Sequence, residues 1–285
     1  MTPAQCAELA VNKMIEDTTI PYLAIELLNT KPSIFESKLG GLPYLPKNAE
    51  IPIDSKGRQM KLLAQINCND ISELEDYPHE GILQFWLTID FRWKEAKVKY
   101  YKNIDKTISE NDILPLIENY DDGDFPVNGE YGIRFTLKNE YISRDDERFE
   151  ALFCQYYTEI SGKYIMTPEN DGDEVYEIYE CFSEDMWSGC SKVGGYRGIS
   201  QLPDYITYLS ENANIKKSPY RKYVSHIDLK SDDAEKLLLQ LDSWYNNSTD
   251  YQMMWGDAGI AQFHITRKDL RELNFDNVTF HWDCS

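Results

Sequence analysis

Apolar and polar positions alternate along much of this chain at the period of strands, and helical spacing is confined to a few short stretches. The N-terminus is one of them. Thr2 and Gln5 stand in capping-box spacing, Pro3 suits a first helical turn, and Cys6, Leu9, Ala10 and Met14 follow as an apolar stripe, which predicts a helix over 3–16. Residues 22–28 are too apolar for a solvated helix and read as a buried strand. Further strands are predicted at Lys61–Asn67, Gly81–Asp90, Lys97–Tyr101, Tyr131–Tyr141, Phe149–Thr158, Leu237–Asp242, Ile260–Thr266 and Val278–Cys284. They are short, rich in aromatic and β-branched residues, and bounded by Gly, Pro, Asn or Asp. In the last, Val278, Phe280 and Trp282 face one way and Thr279, His281 and Asp283 the other. Short helices are predicted over Ser72–Tyr77, Pro203–Asn212, Asp232–Lys236 and Lys268–Leu273, the last opened by Thr266 and Asp269 in capping-box spacing. Many strands, few helices and no regular β-α alternation predict an α+β to mainly β fold, rich in antiparallel pairing.

The chain also resembles itself. Lys38-Leu39-Gly40-Gly41 matches Lys192-Val193-Gly194-Gly195, and Leu62 to Asn67 matches Leu237 to Asp242. Gly81 to Leu87 likewise matches Gly259 to Ile265. The order is kept, and the glutamines of the second and third blocks lie 19 residues apart in one copy (65 to 84) and 22 in the other (240 to 262). The expectation is a duplication, with internal repeats at about 38–91 and 192–266 and an acidic insert at about 121–185. Two copies related by a pseudo-two-fold axis would leave a groove between related strands.

A glutamine amid apolar strand residues must satisfy its amide donors and its carbonyl if it is buried. Either these side chains fix sheet register, or Gln65, Gln84, Gln240 and Gln262, with Asn67 and Asp242, line a polar floor where a ligand or peptide docks. Trp255-Gly256-Asp257-Ala258-Gly259 offers a similar choice. Asp257 closes an Asx-type turn beside a core Trp255, or it faces a ligand next to an aromatic platform.

Lys192-Val193-Gly194-Gly195, Leu238 to Ser243, Trp255 to Gly259 and the terminal Trp282-Asp283-Cys284 together resemble the YwqG-like family. Gly40-Gly41-Leu42-Pro43-Tyr44 and Leu63 to Asn67 resemble its first half, so the resemblance runs from about residue 20 to the C-terminus. It implies a single duplicated, mostly β domain of roll-like form over 1–285 and little about activity, the family being one of unknown function. Some of its members look like immunity proteins of bacterial toxin systems. One departure is that Arg197-Gly198-Ile199 follows the second Gly-Gly, where the first copy has Pro43.

Charge narrows the functional classes. With 49 acidic against 29 basic residues, the net charge of −20 disfavours nucleic acid as a direct ligand. No run is apolar for long enough to span a membrane. The first residues lack the basic and apolar stretches of a secretory signal, and the six cysteines are scattered without a C-x-x-C pair, Cys181 and Cys190 being the closest two. The expected setting is the cytoplasm, with reduced thiols. Neither metal nor cofactor is expected: the four histidines lack ligand spacing, the Asp-rich stretches at 121–124 and 171–174 do not complete a calcium loop, and the Gly-Gly segments read as tight turns.

Residues 121–185 hold 18 acids against 5 bases. Charge runs are usually solvated faces. Interleaved with tyrosine, however, this one has the composition of a surface that captures a basic protein, with Asp121, Asp122, Asp124, Tyr156, Tyr157, Asp171, Asp173, Glu174 and Tyr176 as contact candidates. The leading expectation is therefore a non-enzymatic binding protein, immunity-type or regulatory. A small-ligand or peptide binder in the inter-repeat groove is the second reading, and an enzyme centred on His264, His281, Asp257 or Asp283 the third.

Overall fold

The computed structural model describes residues 1–90, 93–118, 125–143, 146, 148–184, 190–198, 235–247 and 250–284. Strands β1 (Ile20–Leu28), β2 (Lys38–Gly40), β3 (Lys61–Asn67), β4 (Ile82–Leu87) and β5 (Ala96–Tyr101) lie in the first half. The second half contributes β6 (Glu130–Glu140), β7 (Lys192–Gly194), β8 (Glu235–Asp242), β11 (Ile260–Thr266) and β12 (Thr279–Asp283). All ten join one sheet in the order β12-β11-β8-β7-β1-β6-β2-β3-β4-β5, each pair antiparallel. A separate ribbon pairs β9 (Trp244–Asn247) with β10 (Asp250–Met253).

That order reads the same from either end. With its centre between β1 and β6, β7 corresponds to β2, β8 to β3, β11 to β4 and β12 to β5. The first strand of each half lies in the other half's territory: β1 pairs with β7, and β6 with β2. Both halves carry the same irregularity. Pairing skips Leu63 on β3 and Leu238 on β8, so each strand has a one-residue bulge two positions before its glutamine.

The sheet curls into a nearly closed barrel. Phe85 of β4 meets Phe263 of β11 edge-on at 4.8 Å, and Phe263 meets Phe280 of β12 at 4.8 Å. Strand alternation fills the interior from both halves: Leu83, Phe85 and Leu87 on one side, Ala261, Phe263 and Ile265 on the other. Each of the Leu, Ile and Phe side chains, fully buried, is worth about 1.5–3 kcal/mol in transfer free energy.

Helix α1 (Pro3–Thr18) has the expected reciprocal cap between Thr2 and Gln5. A short α2 spans Glu110–Ile113. The segment expected as a strand at Phe149–Thr158 is instead helix α3 (Phe149–Ser161). Its buried residues Phe149, Leu152, Phe153, Tyr156 and Tyr157 recur at three and four, a helical stripe that aromatic content alone obscured. Helix α4 (Asp173–Glu184) was not expected, because Val175, Tyr179 and Phe182 form only a thin apolar stripe among acids. These helices form a layer with α1, in which Ala7, Ala10 and Met14 meet Phe153 and Tyr157 in one cluster.

Ser72–Tyr77 is turn rather than helix, with three-residue closures from Leu74 N to Ile71 O and from Tyr77 N to Leu74 O before Pro78. Helix α5 (Arg267–Arg271) begins as expected, Thr266 accepting from the Asp269 N–H. Of the remaining expected helices, Pro203–Asn212 lies outside the described residues, as does 232–234 of the other, whose Glu235 and Lys236 open β8.

Candidate functional site

Strand alternation turns Gln65 and Gln84 away from the barrel interior, their neighbours Ala64, Ile66, Leu83 and Phe85 facing it, and places them under the loop that follows β2. There Gln65 Oε1 accepts from Tyr44 N at 2.8 Å and from Gln84 Nε2 at 2.8 Å. Its Nε2 donates to Ile34 O and Glu36 O, both at 2.9 Å. Gln84 Nε2 also donates to Tyr44 O at 2.6 Å, and its Oε1 receives Trp86 Nε1 at 3.2 Å.

The second half repeats the arrangement. Gln240 Oε1 accepts from Gly198 N at 2.8 Å and Gln262 Nε2 at 2.9 Å, while Gln240 Nε2 donates to Cys190 O at 2.8 Å. Gln262 Nε2 also reaches Gly198 O, and His264 Nε2 contacts Gln262 Oε1 at 3.2 Å. Gly198 plays the part of Tyr44, and His264 that of Trp86. The other ring nitrogen of His264 lies 2.7 Å from Glu235 Oε1.

Each network has a buried lysine beside it. Lys38 Nζ donates to Leu42 O at 2.8 Å and Glu130 Oε1 at 2.9 Å; burial pulls its pKa down, against the pull of Glu130. Lys192 Nζ meets both Glu140 oxygens at 2.8 Å and sits 5.1 Å from the centre of the Tyr22 ring. Burial, with smaller contributions from Cys190 and Glu140, pushes the Tyr22 hydroxyl up to about 12. The glycine pairs make room for these carboxylates. Gly41 and Gly195 both have φ near +70° (71° and 76°), and an added Cβ would fall 2.3 Å from Glu130 Cδ or 2.0 Å from Glu140 Oε1.

Asn67 and Asp242 occupy equivalent strand ends. The Asn67 N–H donates to Ser37 Oγ at 2.9 Å and the Asp242 N–H to Ser191 Oγ at 2.8 Å. Asn67 Nδ2 also donates to Phe35 O at 3.1 Å, and Asp242 Oδ1 accepts from Ser243 N at 2.8 Å. Burial raises the Asp242 pKa, that N–H opposing it. The side chains of Gln65, Gln84, Gln240 and Gln262 thus bond one another and the backbone of the adjoining loops.

Trp255 and Asp257 do not combine. Trp255 is buried among Trp93, Phe280 and Trp282, while Asp257 is exposed on a turn closed by Gly259 N to Trp255 O at 2.8 Å. The six cysteines are free thiols. Among the described residues no group of three or more His, Cys, Asp or Glu is placed to hold a metal ion, and no helix is long and apolar enough to cross a membrane.

The acidic region differs most from expectation. Tyr156 and Tyr157 are buried in the helical layer, so neither offers a ring to a partner. Their hydroxyls bond Asp17 (2.9 Å) and Asp171, whose carboxylate also pairs with Lys163. Tyr176 is half-buried against the same cluster. Asp173 and Glu174 are exposed in the first turn of α4, where the helix dipole favours acids. Asp121, Asp122 and Asp124 lie outside the described residues. Buried Asp146 anchors the start of α3: burial pushes its carboxyl up, but Arg148 and Arg197 outweigh that and hold it below the usual range.

Two charged groupings were missed in the sequence. The lysine–glutamate pairs span 92 and 52 residues, beyond any local motif. Asp76 meets Arg267 at 3.0 Å, Arg271 at 2.9 Å and Lys236 at 3.6 Å, fastening the turn after β3 to the second half.

A family model for a domain of unknown function, DUF1963, matches residues 37–284. The chain belongs to the DUF1963 family. The DUF1963 match opens at Ser37, whose hydroxyl accepts from the Asn67 N–H, and takes in all four glutamines, α3, α4 and β12, leaving α1 and β1 outside it. No curated protein matches the chain.

Proposed function

We propose that this DUF1963 chain is a non-enzymatic binding protein that captures a basic protein partner on its acidic helical layer, as an immunity-type neutraliser would. The YwqG-like resemblance belongs to this reading, and so does a cytoplasmic setting, in which the free thiols stay reduced. The observation that carries it is an asymmetry. In the first half β1 connects to β2 through residues 29–37 alone, whereas the equivalent connection from β6 to β7, residues 141–191, carries α3 and α4. Within 149–184 stand nine acids and a single lysine, Lys163. Glu159, Asp173, Glu174 and Glu177 are exposed there, over the aromatic cluster that holds the layer in place.

The test is retention of proteins from a lysate of the source cell at low and at high salt, on the native chain and on Glu159→Gln/Asp173→Asn/Glu174→Gln/Glu177→Gln. A basic protein held at low salt, released by salt and lost with the variant is the expected result. Equal retention on both proteins would overturn the assignment to this layer.

A further inference from the structure

We propose that β5 is a docking edge for an extended segment of a partner protein in which apolar and acidic residues alternate. β5 and β12 are the two ends of the sheet, and between them lies a cleft of about 250 Å³ floored by Phe263, Phe275 and Phe280. Aromatic contacts close the seam at its two ends: Tyr100 on Phe275 at 5.4 Å and Trp93 on Trp282 at 4.8 Å. The volume is below the usual range for small-molecule sites and suits a few side chains of a strand.

Register fixes what the edge offers. Thr88 N donates to Glu95 O at 3.0 Å, so residues 95, 97, 99 and 101 spend their backbone groups on β4. Ala96, Val98 and Tyr100 therefore turn their N–H and C=O groups to the seam, while their side chains face the aromatic floor. Lys97 and Lys99 project from the opposite face and are exposed, Lys97 Nζ donating to Ile53 O at 2.7 Å, with Lys94 and Lys102 flanking them and Lys102 paired with Glu80 at 3.0 Å.

A strand added here places every second side chain beside Val98 over the cleft and the others beside Lys97 and Lys99. Apolar residues suit the first set and carboxylates the second. Lysines also guard sheet edges against unwanted pairing. Yet β12 has Thr279 and His281 at the positions equivalent to Lys97 and Lys99, so an end of this barrel does not require them. On a chain of net charge −20, a lysine-bearing edge selects an acidic segment, and like charge opposes pairing β5 with β5 of a second copy. The site is separate from the acidic helical layer, and two lysines, Lys97 and Lys99, line its cleft against one acid, Asp276.

The probe is a fluorescein-labelled peptide of alternating Val and Glu, titrated against the full chain and followed by fluorescence anisotropy. Saturable binding is expected, with slowed hydrogen exchange at the Ala96, Val98 and Tyr100 amides. Lys97→Glu/Lys99→Glu should weaken it by about tenfold or more, two exposed charge pairs being lost and reversed. N-methylation of the peptide along one edge should abolish binding, and along the other leave it. No binding, equal binding by a Val-Lys peptide, indifference to the methylated edge, or protection elsewhere in the chain would each overturn the proposal. A β5-mediated dimer of the chain would overturn it as well.

Discussion

The two glutamine networks solve one problem with different outer residues. In both, a bulged strand presents a glutamine whose amide clamps a loop backbone, a second glutamine bridges to it, and a ring N–H or ring nitrogen contacts the second carbonyl. The amides are the same in both copies; the ring is Trp86 in one and His264 in the other. The lysines are kept too, but their partners do not correspond. Glu130 stands on β6 opposite Gly40, and its counterpart opposite Gly194 is Tyr22, so Lys192 takes Glu140 from farther along β6. Within one chain, what both copies retain is what the loops need in order to sit on the strands. What differs was free to change, and among the described residues the largest difference is the helical connection between β6 and β7.

Unequal mutational costs would sharpen this comparison. The largest is expected for Glu140→Ala, which leaves Lys192 buried without its counter-charge and should cost about 3–5 kcal/mol in urea unfolding. Glu130→Ala should cost less, because Lys38 keeps its bond to Leu42 O. A larger loss at Glu130 would show that the two lysines are not held in the way described.

Next come Gln65→Leu and Gln240→Leu, each expected to lose about 2–3 kcal/mol as buried backbone partners are stranded. Similar losses at the two sites mean that the networks do the same work. A variant of either kind that keeps its stability would return that glutamine to the ligand-facing role.

Asp146 probes the second half alone. Its carboxyl is held below the unfolded value of about 3.9, so its contribution is complete above that pH and is lost as the pH falls through its folded value. Urea midpoints should therefore drop below about pH 4, and Asp146→Asn should remove part of that slope while lowering stability at neutral pH. The smallest effect is expected for Asp173→Asn/Glu174→Gln. These exposed acids should leave the urea midpoint nearly in place, and a large shift would make the acidic face part of the scaffold.

The sequence made β3, β4, β8 and β11 legible because each glutamine sits inside a repeated apolar block, and repetition separates signal from chance. Helix α1 was legible through its cap. Helix α3 was not, since the residues that make strands attractive are here spaced at three and four. Helix α4 hid its three anchors among acids. The lysine–glutamate pairs and the Asp76 grouping depend on residues brought together across the sheet, and Trp86 and His264 share no chemistry a motif would register until the geometry aligns them. β1 and β6 resemble each other too little to betray that they trade places.

That trade governs how the barrel can be assembled. While β1 awaits Val193 and its neighbours, β2 awaits Tyr131 and Gly132, so neither half has a complete sheet until most of the chain is available. The central ribbon, Ile20–Leu28 against Glu130–Glu140, closes a loop of about a hundred residues before any reward, a late and slow step by the relation between contact order and rate. A nascent chain ending before β6 would present β2 with an open edge, leaving the first half dependent on synthesis of the second.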